Sequence, residues 1–168
     1  MNDRNQERDN PEDEDVRQLL GGHAAILAVY GFLVASVVAV AAATNRTLPE
    51  AMSGKDILMT AAASHKLART LTKAEIARPI RTPVTRKAGD GGPGEVSETP
   101  SGRSGLRRSI GTLLTCPFCM DLWAVTGFTV ARIFAPRLTH VVVNSLAVWV
   151  GADFFQLAYA KAQELAEG

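Results

Sequence analysis

The chain's only two cysteines stand together as Cys116-Pro117-Phe118-Cys119, with Asp121 and Trp123 close behind. Pro117 disfavours a helical conformation at the residue before it. It also suits the first turn of a helix, where its missing N–H costs nothing. Thr115 or Cys116 is therefore expected as an N-cap, with a helix body over 118–134. At positions i and i+3 of a first turn the two thiols share one face, where free backbone N–H groups and the helix dipole favour a thiolate. Three chemistries fit the pair. Free cysteines serve as small packing residues. Cys116 and Cys119 also supply two metal ligands, but a structural zinc normally takes four. His65, Asp121 or a second subunit would have to complete that set. In the third chemistry one thiolate attacks a disulfide and the other resolves it. A thioredoxin-like motif would need a βαβ context, and no such pattern is visible.

The elements that must position these groups are apolar blocks. The segment 24–43 has no charged residue and runs through Ile26, Leu27, Val29, Phe32, Leu33, Val34, Val37, Val38 and Val40. About twenty such residues span a hydrocarbon core of roughly 30 Å. Two further blocks, 110–131 and 141–160, carry one charge each, Asp121 and Asp153. A cleaved signal peptide would have a basic front end. Here the front is acidic, and the later blocks still need lipid. A less apolar element covers 56–71, about 24 Å as a helix. Its basic end, Lys66 and Arg69, is able to snorkel. It reads as a span, with an interfacial or re-entrant helix as the competing form.

At 168 residues the length suits one domain, and 18 Lys+Arg against 17 Asp+Glu leave no global field to attract nucleic acid. The charge is segregated, however. Residues 1–18 open with Asp3, Glu7, Asp9, Glu12, Asp13, Glu14 and Asp15 and read as a disordered acidic tail. Pro79 and Pro83 interrupt any helix, and 82–106 is rich in Gly, Pro, Ser and Thr, the composition of a flexible loop. Between Lys66 and Arg108 the basic residues outnumber the acidic ones, which marks the cytoplasmic side. With four crossings both termini lie there too; if 56–71 does not span, the N-terminus moves outside. The expected architecture is all-α: a small polytopic membrane bundle of three to four transmembrane helices at about 24–43, 56–71, 110–134 and 139–160.

Ionisable groups in lipid are costly and usually face the bundle interior. Counted from the basic loop at the helical rise, Cys116 lies roughly 10 Å in, Asp121 about 18 Å, Asp153 roughly 12 Å, and Lys66 and Arg69 about 10 and 5 Å. Three helices thus bring polar groups to one leaflet. Ser145, Trp149, Asp153 and Gln156 recur at helical spacing on one face. The favoured reading is an interhelical clamp of Asp153 with Lys66 or Arg69, and the rival is a polar cavity of the kind a small transporter would need. His23 and His140 read as interface residues, and Trp123 and Trp149 as packing or interfacial anchors.

Several motifs in order carry a resemblance: Leu113-Leu114-Thr115-Cys116-Pro117-Phe118-Cys119 with Trp123, the upstream Leu67-Ala68-Arg69, and Arg78-Pro79-Ile80-Arg81-Thr82-Pro83. Over roughly 56–160 the sequence resembles a bacterial membrane family catalogued as domain-of-unknown-function family 1360. The resemblance implies a small multi-span protein of the cell's inner membrane and picks out Cys116, Cys119, Trp123, Arg69 and Arg81. Lys73-Ala74-Glu75 departs from the Lys/Arg-Asp expected there, and no activity comes with the likeness. The expectation is a membrane protein that is not an enzyme, with packing or zinc-binding thiols and a basic loop against anionic lipid headgroups, either alone or as a homo-oligomer. A membrane thiol-disulfide oxidoreductase is the alternative.

Overall fold

The computed structural model describes residues 11–46, 51–102 and 105–168, and six α-helices account for most of them. Helix α1, Pro11–Ala43, is 33 residues long. Its start corrects part of the expected tail. Proline suits a first helical turn, and the Glu14 and Asp15 carboxylates near the positive end of the helix dipole favour helix over coil. The rest of that expectation, residues 1–10, lies outside the described residues. Helix α2, Gly54–Lys73, is started by Ser53, whose Oγ accepts from the Asp56 N–H at 3.1 Å and donates to Asp56 Oδ2 at 2.8 Å. The first of these bonds satisfies one of the N–H donors that a helix start leaves free, and the second fixes the serine that accepts it.

Beyond α2 the chain makes a 3-10 turn, Glu75–Ala77, and a one-turn helix α3, Arg78–Arg81. A two-stranded antiparallel sheet follows, so the fold is mostly helical, not all-α. Strands β1, Thr85–Asp90, and β2, Val96–Pro100, pair Thr85 with Pro100 and Asp90 with Val96, with a bulge between Lys87 and Gly89. The expected flexible loop is thus largely a hairpin. Its glycines close the turn: Gly91 and Glu95 bond through their backbones, and Gly94 takes φ +73°, a region that favours glycine. Thr85, Val96 and Glu98 are buried.

Helix α4, Gly105–Thr115, and helix α5, Pro117–Phe134, meet at an angle of 81°. This corrects the expected straight span over 110–134, because Cys116 is extended and Pro117 starts a new helix in another direction. Ala135 turns the chain into helix α6, Pro136–Glu167, 32 residues long. Ala63 of α2, Phe128 of α5 and Val143 of α6 form the core, with Met59, Leu67 and Leu146 against it. Asp56 lies beside Arg132 and His140, and Lys66 beside Asp153. Helix α2 therefore runs antiparallel to α5 and parallel to α6. Helix α1 packs chiefly on α4, where a Cβ on Gly22 would fall 2.2 Å from Ser109 Oγ.

Among the described residues α1 and α6 are long and apolar enough to cross a membrane, and α4 with α5 adds a third crossing if the bent pair is one span. Their apolar residues face outward. Leu27, Phe32 and Val38 on α1, and Val148, Phe154 and Phe155 on α6, are exposed.

Candidate functional site: a polar layer beneath a hairpin cap

Lys66 and Asp153 meet because α2 and α6 run parallel from the same end of the bundle. Lys66 Nζ donates to Asp153 Oδ2 at 2.5 Å and also sits 3.9 Å from the centre of the Trp149 ring. Trp149 lies one turn before Asp153 on α6, so one helix supplies both a carboxylate and an aromatic face to the same ammonium. The Lys66 side chain is 14% exposed and that of Asp153 40%. Ser145 and Gln156, on the same stripe, are exposed and make no side-chain hydrogen bond with the pair.

Arg69, the other basic partner considered for Asp153, turns instead to the hairpin. Its Nε and Nη2 bind both carboxylate oxygens of Glu95, at 2.6 and 2.9 Å. This two-point geometry suits a guanidinium better than an ammonium.

The most enclosed charges lie beneath the hairpin. Arg81 is fully buried, and the Glu98 side chain is 2% exposed. Arg81 Nε donates to Glu98 Oε2 at 2.5 Å, and Nη1 donates to the Leu71 and Ala74 carbonyls at 2.9 and 3.1 Å. Those carbonyls belong to the end of α2, where helical acceptors lack partners. One arginine thus caps α2 and holds β2. Thr85 Oγ and Arg78 Nε also reach Glu98, at 3.4 and 3.3 Å. The Glu75 carboxylate, and after it Glu98, hold the Arg78 guanidinium above its ordinary pKa. Arg81 Nη2 and Ser101 Oγ are buried with no hydrogen-bond partner among the described residues.

The thiols occupy the corner between α4 and α5. Cys116 is the N-cap, and its Sγ accepts from the Cys119 N–H at 3.2 Å. Both cysteines are free, Cys116 half-buried and Cys119 exposed. Because α5 begins at Pro117, Asp121 lies only about 6 Å along it. This corrects the greater depth expected from a straight helix. Asp121 Oδ1 is buried with no hydrogen-bond partner among the described residues. No hydrogen bond or ion pair joins Cys116, Cys119 or Asp121 to the Lys66–Asp153 pair. His65 is exposed. Among the described residues no three of His, Cys, Asp and Glu are grouped closely enough to hold a metal ion, so His65 and Asp121 do not complete a set with the thiols within one chain.

Trp123 packs edge-to-face on Tyr30 of α1 at 5.2 Å, and Tyr30 OH shares a hydrogen bond with Thr126 at 2.8 Å. His23 Nδ1 lies 2.9 Å from the Leu19 carbonyl. At the far end His140 Nε2 is 3.8 Å from Asp56. Glu95 and Glu98 are the participants that sequence reasoning missed. Within a Gly- and Pro-rich segment they read only as opposing charge, although Val96 and Glu98 alternate as one face of a strand does.

No curated protein and no solved structure matches the chain. The family described as "Protein of unknown function (DUF1360)" matches residues 58–159, from α2 through most of α6, and the chain belongs to that family.

Proposed function

We propose that this chain is a multi-pass membrane protein in which α1, α2, α5 and α6 all cross, with the hairpin, α4 and both termini on the cytoplasmic side. The reading rests on the outward display of the long helices: Phe32, Val38, Phe154, Phe155 and their neighbours are exposed along two helices of membrane-crossing length. Water does not tolerate so large an apolar surface, whereas lipid does. Within the layer the protein acts without catalysis. The Lys66–Asp153–Trp149 contact clamps α2 to α6, and the thiols cap and pack the corner of α5. The purified chain is expected to stay monodisperse only in detergent or lipid and to sediment in plain buffer. A monodisperse, folded chain in plain buffer overturns the reading.

A specific observation favours a second reading, thiol-disulfide exchange at Cys116 and Cys119. The two thiols are free, lie within one helical turn, and Cys119 is exposed. In that reaction the thiolate of one cysteine attacks a partner's disulfide. The other cysteine then displaces the partner thiol, leaving a Cys116–Cys119 disulfide and a reduced dithiol on the partner. Equilibration with glutathione buffers tests it. A reversible two-electron transition supports exchange, and thiols that remain reduced through strongly oxidising buffers remove it.

A further inference from the structure

We propose that α4, the neighbouring hairpin and the end of α2 form a docking surface for anionic lipid headgroups at the membrane interface, with Lys73, Arg86 and Arg107 as the cations. This deepens the membrane reading above and rests on it.

The orientation of α4 follows from the 81° corner at Cys116. If α5 crosses the bilayer, α4 lies nearly in the plane of its surface. Two opposite sides of α4 are occupied by protein. Ser109 meets Gly22 and the Leu19 carbonyl of α1, whereas a Cβ on Gly111 would fall 2.6 Å from the Val84 carbonyl beside the hairpin. The two remaining sides differ in chemistry. One carries Leu106, Ile110 and Leu113, and the other Arg108, Thr112 and Thr115. Leu106 is exposed. A short helix with one apolar and one polar side, wedged flat between two neighbours, has the character of an interfacial helix. Phe118, 87% exposed at the corner, adds an apolar ring of the kind an interfacial helix buries at the headgroup boundary.

Charge accounting supplies the second argument and selects the lipid. Arg69, Arg78, Arg81 and Lys87 are each engaged by a carboxylate: Glu95, Glu75 with Glu98, Glu98, and Asp90. Arg107 donates to the Pro83 carbonyl at 2.7 Å, which leaves its charge uncancelled. Among the described residues no carboxylate pairs with Lys73 or Arg86 either. Arg107 on α4, Arg86 on β1 and Lys73 at the end of α2 are therefore cations that no carboxylate of the described residues neutralises. A phosphate that carries acyl chains matches both halves of that surface.

The test uses the full chain in nanodiscs of phosphatidylcholine with a minority of phosphatidylglycerol. Mass spectrometry of the lipid that stays bound on transfer to detergent gives the enrichment of phosphatidylglycerol over the bulk. The wild type is expected to enrich it. Each of Lys73→Gln, Arg86→Gln and Arg107→Gln should lower the binding constant by up to about fivefold, the worth of one basic residue near an anionic surface. Inorganic phosphate should not displace the lipid. Lys87→Gln, at a neutralised cation, should change nothing. Equal enrichment in wild type and the triple variant overturns the proposal, and so does displacement by inorganic phosphate, which would point to a free-phosphate site. Either result leaves the membrane reading intact, because neither bears on whether the chain folds in plain buffer.

Discussion

Lys66 has two partners of different kinds, and the difference allows their contributions to be separated. Asp153 supplies charge and a hydrogen bond, and Trp149 supplies a ring face. Removing Asp153 leaves a mostly buried ammonium with only the ring, a poor exchange in a low-dielectric layer. Asp153→Asn is therefore expected to destabilise the detergent-solubilised protein, and Lys66→Met in the same chain should restore part of the loss. The coupling energy from that thermal-denaturation cycle should fall at about 0.5–3 kcal/mol. Simple additivity of the two losses would contradict the clamp. The choice of Lys66 over Arg69 was not legible in the sequence, since both lie at the basic end of α2 and both are within reach of α6. The hairpin decides it, because Glu95 takes two of the three guanidinium nitrogens of Arg69. That hairpin was itself unread.

The hairpin was hidden by composition, which averages over positions that strand pairing treats separately. Gly91, Gly92 and Gly94 signal flexibility in a count of residue types, but in the structure they turn one strand back on another. Glu98 then becomes the most enclosed carboxylate of the cap. Glu98→Ala should cost about 3–5 kcal/mol, because it strands the buried Arg81 charge. Replacing both by apolar residues of similar size, Arg81→Met with Glu98→Leu, should recover much of that loss. Thermal melting of the detergent-solubilised variants measures both, and a neutral Glu98→Ala would show that Arg81 is not held by this pair. The corner at Cys116 was half legible. Pro117 announced a helix start, but Leu113 and Leu114 before it and Phe118 after it made one continuous apolar run. Hydropathy is insensitive to direction, so a helix along the surface and a helix through the bilayer read as a single rod.

At the scale of the molecule, the arrangement makes sense only with lipid around it. The core is small: Ala63, Phe128 and Val143, with three partly buried neighbours. Far more apolar surface faces outward along α1 and α6 than inward. Polar groups gather at the two ends and in one layer between them. Asp56, Arg132 and His140 mark the end opposite the hairpin. The apolar blocks behind this plan were plain in the sequence, because long uncharged runs have few other uses. The direct test of crossing is topology. In a chain carrying Cys116→Ser and Cys119→Ser, single cysteines are placed at Ser97 in the hairpin and at His140 near the start of α6, both exposed. They are labelled with a membrane-impermeant maleimide in intact cells and in inverted vesicles. The account predicts that position 97 reacts only in inverted vesicles and position 140 only in intact cells. Labelling of both positions from the same side would contradict it.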